Sequence, residues 1–337
     1  MSITAIVPVW NRRDLLERLL VTLEAQTLPV DELLVVDNGS TDGAPELARR
    51  HGARVIPMGR NAGFAPAVNR GIRESRTDRI AVLNSDVELA PDYLATLAAA
   101  DGWFATGKLL HRAEPAELAH SPKVAPVIDG TFDAMCRGGT AWRVGNGRAD
   151  GPPFSLTHSI FSPPWTAALF RAELFERVGY LEESFESYLE DVDFGLRCAR
   201  LGLAGSYVPS AVAWHRGSAT LGRWHPDTVR RMTRNQILLL ARHYPGRLLL
   251  RCWWPIFVAH SLWAALAFRH GRGLACLRGV SQGIRGISTA RLTDEPSGSG
   301  LLELLRVNEQ TIRDVQASTG FDTYWRLYFL LTGIGAR

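Results

Sequence analysis

Arg79-Ile80-Ala81-Val82-Leu83-Asn84-Ser85-Asp86 runs through four apolar residues, then turns polar and ends on a carboxylate. Such a run, without polar alternation, reads as a strand buried on both faces with an acid at its carboxyl end. Upstream, residues 3 to 9 read as another buried strand. Between Arg12 and Gln26, Leu15, Leu16, Leu19, Leu20 and Leu23 recur at helical spacing. A strand over Glu32 to Asp37, a short helix around Pro45 to Arg50, a strand over Ala53 to Pro57 and a helix over Gly63 to Glu74 complete the alternation. This order predicts an α/β fold with a mostly parallel sheet covered by helices on both faces. In such sheets ligands bind beyond the carboxyl ends of the strands, where loops and helix amino termini converge. Asp37-Asn-Gly-Ser-Thr-Asp42 and Asn84-Ser85-Asp86 both fall on that edge.

Downstream the pattern loosens. Gly138-Gly139, Gly145-Asn146-Gly147 and Gly151-Pro152-Pro153 mark turns, so residues 107 to 160 are expected to line the acceptor side as loops or irregular strands. One helix is predicted over Ala167 to Val178. Another runs from Glu190 to Leu201, with Glu190, Asp191 and Asp193 in its first turn, where acids favour a helix start. From Pro226 helical periodicity dominates, which divides the chain into an α/β domain over residues 1 to 225 and a helical, membrane-associated or dimerising region over 226 to 337. Leu248 to Phe268 is rich in apolar residues but carries Arg251 and His260, whereas a bilayer span needs about 20 apolar residues. With Trp253, Trp254 and Trp263 at headgroup level it reads as an interfacial helix; a buried or dimerising helix is the plainer alternative. Residues 293 to 300 read as a flexible break. Leu301 to Ile312 and Tyr324 to Leu331 form a terminal apolar segment.

Thirty-eight basic against 34 acidic residues give a net charge of +4, a weak pull toward anionic partners such as sugar nucleotides or acidic lipid. Basic residues are dispersed without a nucleic-acid motif, so no nucleic-acid partner is expected. Four scattered cysteines form neither a disulfide framework nor a CxxC zinc pair, which points to a reducing compartment. No cleavable signal is read at Met1. The expected location is cytoplasmic, peripheral on the inner face of the cytoplasmic membrane.

Several residues are candidates for chemistry. Asp37 ends a buried strand, where it can accept from a pyrimidine imide or ribose hydroxyls, or else form an Asx turn. In Asn61-Ala-Gly-Phe-Ala-Pro-Ala-Val-Asn69, Gly63 permits close approach of a ligand and Asn69 can bond a polar head; helix-start packing is the alternative. Neither a Walker motif nor GxGxxG is present. Asp86 can hold a divalent cation that offsets charge on a departing diphosphate, with His215 as a second ligand, although imidazole favours manganese over magnesium. The competing readings are a helix cap near Pro91 and a packed imidazole. Transfer of a group to a hydroxyl needs a base for its proton; Asp191 is the first choice, Glu190 the second, and Asp193 reads as structural. No Ser or Cys nucleophile with an activating base stands out.

In order and spacing these motifs resemble the inverting family 2 glycosyltransferases of the GT-A fold, in particular the rhamnosyltransferase-like bacterial enzymes. The resemblance covers about residues 1 to 220. It is carried by Ala5-Ile-Val-Pro-Val-Trp-Asn-Arg12, Val35-Val-Asp-Asn-Gly-Ser-Thr-Asp42, Asn61-Ala-Gly-Phe64 through Asn69-Arg-Gly71, Leu83-Asn-Ser-Asp86, Tyr188-Leu-Glu-Asp-Val-Asp193 and His215. It implies that Asp37 contacts the nucleobase, that Asp86 is the metal-binding acid of an Asp-x-Asp motif, and that His215 helps hold the metal or diphosphate. It also implies that Asp191 is the base in a single displacement. Pro8, Val9 and Asn11 join the donor site on the same resemblance, as do Asn84 and Ser85. Asn84 stands where the first acid of Asp-x-Asp belongs, leaving one charge fewer for Mn2+ or Mg2+. The implied donor is a dTDP or UDP sugar, with rhamnose the leading choice, and the acceptor is a cell-surface glycan or polyprenyl-linked hydroxyl. Competing functions are a catalytically weak sugar-nucleotide-binding scaffold subunit and a nucleotidyltransferase; a homo-oligomer fits either.

Overall fold

The computed structural model describes residues 1–112, 126–216, 224–290 and 298–333. They fall into two compact units: residues 1–132 with 145–219, and residues 133–144 with 220–337.

The first unit opens with the expected alternation. Strands β1 (Ile3–Val9), β2 (Glu32–Asp37), β3 (Arg54–Pro57) and β4 (Arg79–Leu83) alternate with helices α1 (Arg13–Glu24), α2 (Ala44–Arg50) and α3 (Phe64–Glu74). The four strands are parallel in the order β3-β2-β1-β4. The chain moves outward from β1 to β3 and then returns to the other side of β1, so a topological switch point lies between β1 and β4. Alternation along β1 explains why both faces are covered. Ile3, Ala5, Val7 and Val9 join the cluster containing Leu16, Leu19, Leu20 and Leu23 of α1, while Ile6 joins the one containing Val68 and Ile72 of α3. At Gly71 a Cβ would stand 2.4 Å from Ile6 Cγ2, so only glycine lets α3 lie this close to the sheet.

Beyond β4 the sheet becomes mixed. After β5 (Val87–Leu89) and α4 (Tyr93–Ala98) come β6 (Phe104–His111) and β7 (Val127–Gly130). The expected single helix over 167 to 178 is instead β12 (Ala167–Arg171) followed by α5 (Glu173–Val178). Ala-Ala-Leu-Phe fills the slot between β4 and β6, antiparallel to both. A short apolar run looks the same in a buried strand and a buried helix, which is why periodicity misread it. Helix α6 (Glu190–Arg200) and the long strand β13 (Gly205–His215) complete this unit, β13 pairing with β5, with β6 and with β11 (His158–Ile160). The short strand β10 (Arg148–Ala149) pairs with β7.

The second unit combines a hairpin, β8 (Asp133–Met135) with β9 (Ala141–Arg143), and six helices among the described residues. These are α7 (Pro226–His243), α8 (Gly246–Arg251), α9 (Trp253–Arg269), α10 (Gly273–Ala290), α11 (Gly298–Thr319) and α12 (Thr323–Thr332). The hairpin is locked in by buried polar contacts. Arg137 donates through its backbone N–H and its Nε to the two oxygens of Glu309, at 2.9 and 2.6 Å, and Tyr328 donates to Glu309 at 2.5 Å. Tyr244 donates to the Arg137 carbonyl at 3.1 Å, and Tyr324 hydrogen-bonds Thr140 at 3.1 Å. No helix among the described residues is long and apolar enough to cross a membrane. The break expected over 293 to 300 lies mostly outside the described residues.

Candidate active site

At the carboxyl ends of β1 and β2, Val9 stands opposite Asp37 in register. Asp37 is buried, and its Oδ1 accepts from the Ser40 N–H, three residues on, at 3.0 Å, a bond that fixes the loop. Asn11 braces the same loop. Its N–H donates to Ser40 Oγ at 3.0 Å, and its Oδ1 accepts from the Thr41 N–H at 2.7 Å. Pro8 and Val9 are buried within β1, and the Val9 carbonyl accepts from the Asn38 N–H at 2.9 Å. Asn38 was not singled out by the sequence reasoning. Its side chain links this loop to the next by donating to the Gly63 carbonyl at 3.2 Å and accepting from the Ala62 N–H at 3.3 Å. Its place directly after Asp37 at a strand end was the available signal.

At the Asn61 to Asn69 motif the contacts present are those of the alternative reading, helix-start packing. Asn61 Oδ1 accepts from the Gly63 N–H at 3.1 Å. Gly63 has φ +99°, and a Cβ there would stand 2.9 Å from the Glu186 carbonyl oxygen. That carbonyl accepts from the N–H groups of Phe64 and Ala65 at 3.0 and 3.2 Å, so it serves the amino terminus of α3. The close approach that Gly63 permits is therefore made by the protein's own backbone. Asn69 is fully buried; its amide donates to the Leu181 carbonyl and Glu183 Oε1 at 2.8 and 2.9 Å and accepts from the Leu181 N–H at 2.9 Å. Both amide hydrogens are committed, which makes Asn69 a clamp on the 181 to 183 segment rather than a ligand contact.

That segment leads to α6 through three left-handed residues, Glu186, Tyr188 and Leu189, with φ 61°, 76° and 69°. Strain of this kind persists only where surrounding contacts enforce it and is concentrated at functional sites. In the first turn of α6 the three acids have separate environments. Asp193 is fully buried against Arg197, which lies 2.9 Å away and also donates to the carbonyls of Val178 and Tyr180. Glu190 is buried. Asp191 is half-buried and its Oδ1 accepts from the Val192 N–H at 2.9 Å. Ser162 Oγ donates to the Asp191 carbonyl at 3.3 Å, and a Cβ at Gly195 would collide with Ser162. Four residues later the Thr166 carbonyl accepts from the Asn84 N–H at 2.8 Å. The strap Ser162-Pro-Pro-Trp-Thr166 thus joins the Asp191 turn to the Asn84 turn, and a strap of that length spans at most about 14 Å.

Register explains how Asp86 meets His215. Strand β5 begins directly after Asp86, and its Val87 pairs with His215 of β13. His215 Nε2 lies 3.2 Å from Asp86 Oδ1. The other ring nitrogen, Nδ1, lies 2.8 Å from Asp129 Oδ2. Asp129 was missed by sequence reasoning, since nothing local marks it. It is the extra residue of a β-bulge, where Leu109 pairs with Gly130 but Leu110 pairs with Ile128, and bulges re-aim side chains at such places. Burial alone would push the His215 pKa down, but the hydrogen bonds and charges of Asp129 and Asp86 prevail and raise it to about 9. Ser85 is half-buried between Asn84 and Asp86. The Asn84 Oδ1 is buried with no hydrogen-bond partner among the described residues.

This donor set fits a divalent cation. Two cis ligands at about 2.1 Å from one ion lie about 3 Å apart, close to the 3.2 Å between Asp86 Oδ1 and His215 Nε2. Asp129 on the far nitrogen is the carboxylate partner that orients a ligating imidazole. No cluster of three or more His, Cys, Asp or Glu among the described residues is arranged to hold a metal. Two protein ligands leave the rest of a coordination shell to phosphate oxygens and water.

Comparison with known proteins agrees with this architecture. Residues 4–106 match the family described as Glycosyl transferase family 2, and residues 153–290 match Glycosyl transferase family group 2. An N-acetylglucosaminyl-diphospho-decaprenol L-rhamnosyltransferase of Mycobacterium tuberculosis is 29% identical over 274 residues, covering 75% of this chain and 87% of that protein. An undecaprenyl-phosphate 4-deoxy-4-formamido-L-arabinose transferase of Pseudomonas aeruginosa is 32% identical over 128 residues, 35% of this chain and 37% of its own. Among solved structures, the mannosyltransferase PcManGT from Pyrobaculum calidifontis, in complex with GDP-Man and Mn2+, has a TM-score of 0.50 at 17% identity, covering 100% of this chain and 88% of that one. At that identity the likeness concerns the fold. Both matched family models describe glycosyltransferases of family 2 type, and together with the fold they make this chain a glycosyltransferase of that type with a GT-A-like α/β architecture.

Proposed function

We propose that the chain transfers rhamnose from a dTDP donor, with UDP sugars as the second choice, to a hydroxyl of a polyprenyl-linked or cell-surface glycan at the inner face of the cytoplasmic membrane. The observation that carries the reading is the Asp86-His215-Asp129 row at the carboxyl end of β4, tied through the Ser162 to Thr166 strap to the turn bearing Asp191. The similarity to the mycobacterial rhamnosyltransferase supports the sugar and the lipid-linked acceptor.

In this reading Asp37 meets the nucleobase or ribose, and Asn11 and Asn38 hold its loop in place. Asp86 and His215 hold Mn2+ or Mg2+, which when bound supplies positive charge to the diphosphate. Asp129 keeps the His215 ring turned so that Nε2 faces Asp86. The buried Asn84 Oδ1 is an acceptor for a donor-sugar hydroxyl or a bound water, since a buried oxygen without a partner costs about 1 to 3 kcal/mol. Asp191 takes the proton of the acceptor hydroxyl as the anomeric bond breaks, with Glu190 behind it in the same turn.

The test is a screen of dTDP, UDP and GDP sugars with each metal and a short-chain GlcNAc-diphospholipid acceptor. Release of nucleoside diphosphate is expected; release of pyrophosphate would indicate a nucleotidyltransferase, and nucleotide binding without turnover would indicate a scaffold subunit. Asp191→Asn is expected to lower kcat by about 10²- to 10⁴-fold with nucleotide affinity nearly unchanged. Retained turnover would move the base elsewhere.

A further inference from the structure

The second unit presents an apolar and basic surface to which none of the candidate site residues contributes. From residue 228 to residue 293 the sequence contains eleven arginines and not one aspartate or glutamate. Five of these arginines, Arg247, Arg251, Arg269, Arg278 and Arg285, are exposed, and none forms an ion pair among the described residues. Large apolar side chains are exposed beside them. On α9, Trp253 is 63% exposed and Phe257 and Phe268 are each 58% exposed. At 3.6 residues per turn these three, with the more shielded Trp254, fall within about 120° of the helix circumference. They make one stripe along its length, with Arg251 and Arg269 at its two ends.

Neighbouring helices widen the stripe. Trp254 Nε1 donates to the Leu331 carbonyl at 2.8 Å, which ties α9 to α12, where Leu330 is 74% exposed. The Phe268 ring lies against Gly273 at the start of α10, next to Leu274, which is also 74% exposed. Along α10 the exposed apolar residues Leu277 and Ile284 are each followed by an exposed arginine, Arg278 and Arg285. A contiguous apolar face of this size needs a cover.

We infer that the face formed by α8, α9, α10 and α12 docks on an anionic lipid bilayer, with α9 lying in the plane of the interface. Charge selects this occupant. A second copy of the chain meeting the same face would bring arginines against arginines with no acid to offset them, whereas anionic headgroups supply the missing charge. Tryptophan and phenylalanine sink to the boundary between headgroups and acyl chains, and arginines extend toward the phosphates. Since none of the described helices can cross the bilayer, contact is at its surface. The inference rests on the second unit alone and does not depend on the reaction proposed above.

The experiment is flotation of the full chain with phosphatidylglycerol-containing vesicles and with pure phosphatidylcholine vesicles. Binding to the anionic vesicles is expected, weakened by salt. Arg251→Gln and Arg269→Gln should each weaken it by about fivefold and leave the weak binding to neutral vesicles unchanged. Trp253→Ser with Phe257→Ser should weaken binding to both. Nucleotide binding, read on the same preparations, reports that the variants are folded. Wild-type protein that stays at the bottom of both gradients would overturn the inference. So would a dimer that dissociates in the Trp253→Ser, Phe257→Ser variant while vesicle binding is unchanged, or anionic-vesicle binding that survives all four substitutions.

Discussion

Each unit contains a histidine withdrawn from water, and the two stand in opposite surroundings. His215 in the first unit lies between Asp86 and Asp129, and its pKa is raised to about 9. His260, on α9 of the second unit, has an Nε2 shielded from water with no partner among the described residues. Burial pushes its pKa down to about 4, against a hydrogen bond with the backbone of Gly138 that acts the other way. Elsewhere in the second unit, charge is closed on itself: the Glu309 carboxylate meets the Arg137 guanidinium and the Tyr328 hydroxyl. The difference separates two uses of buried polarity. In the first unit two carboxylates converge on one imidazole at the carboxyl edge of the sheet, an arrangement suited to a cation. In the second, Arg137, Glu309 and Tyr328 satisfy one another and hold a hairpin to helices.

The largest effect is expected from opening the closed pair. Arg137→Met leaves Glu309 charged and buried, which costs about 3 to 5 kcal/mol when one partner of a buried pair is removed. Removing both charges in Arg137→Met with Glu309→Leu should recover most of that loss. Urea denaturation measures both variants, and nucleotide binding by the folded fraction should be unaffected. Equal destabilisation by the single and double variants would mean that the contact matters for shape rather than charge.

His260 gives the next effect, and its sign follows from its lowered pKa. The imidazole is neutral in the folded chain and titrates near 6.5 when unfolded, so its contribution is fully present above pH 6.5 and is lost as pH falls through 4. A shift of that size corresponds to at most about 3 kcal/mol. His260→Phe should flatten the fall in denaturation midpoint between pH 6.5 and 4. An unchanged pH profile would show that other groups carry the acid sensitivity and would break the contrast between the two histidines.

How much of this was legible in the sequence depends on range. The strands β1, β2 and β4 could be read because apolar runs and polar strand ends are local signals, and β12 was misread because a four-residue apolar run is ambiguous without its neighbours. Asp37, Asp86 and Asp191 were singled out through motif order. Asp129 was not found, because a bulge against β6 aims its side chain at His215, 86 residues further along the chain. Gly63 and Asn69 were recognised as special, but their partner, the 181 to 187 segment, could only be seen in three dimensions. The Arg137-Glu309 pair lies beyond sequence reading for the same reason, its residues being 172 positions apart.

Asp129 sharpens the contrast on the catalytic side. Loss of an outer partner of a metal-ligating histidine typically costs about 10- to 100-fold in metal affinity. Asp129→Asn keeps an acceptor for Nδ1–H but removes the charge, whereas Asp129→Leu removes both. Manganese titrations by electron paramagnetic resonance, with nucleoside diphosphate present, should show a small loss for Asn and the full loss for Leu. Equal losses would assign the effect to charge, and no loss in either would remove Asp129 from the proposed cation site.

The smallest effect, that of Gly52→Ala, is set against a larger one at a second glycine of the first unit. Gly52 and Gly63 both have left-handed φ, +76° and +99°, but a Cβ on Gly52 meets nothing within 4 Å, while one on Gly63 meets the Glu186 carbonyl at 2.9 Å. Gly52→Ala should therefore cost only the left-handed penalty, about 1 to 2 kcal/mol, with kcat unchanged. Gly63→Ala should cost more, because φ +99° with ψ 176° is a conformation that essentially only glycine adopts, and its Cβ must also displace the Glu186 backbone, which leads through Tyr188 and Leu189 into the turn bearing Asp191. Its kcat should fall as well, since a base displaced from its acceptor loses efficiency. If kcat stays level in both variants, the 186 to 189 strain has no part in placing Asp191.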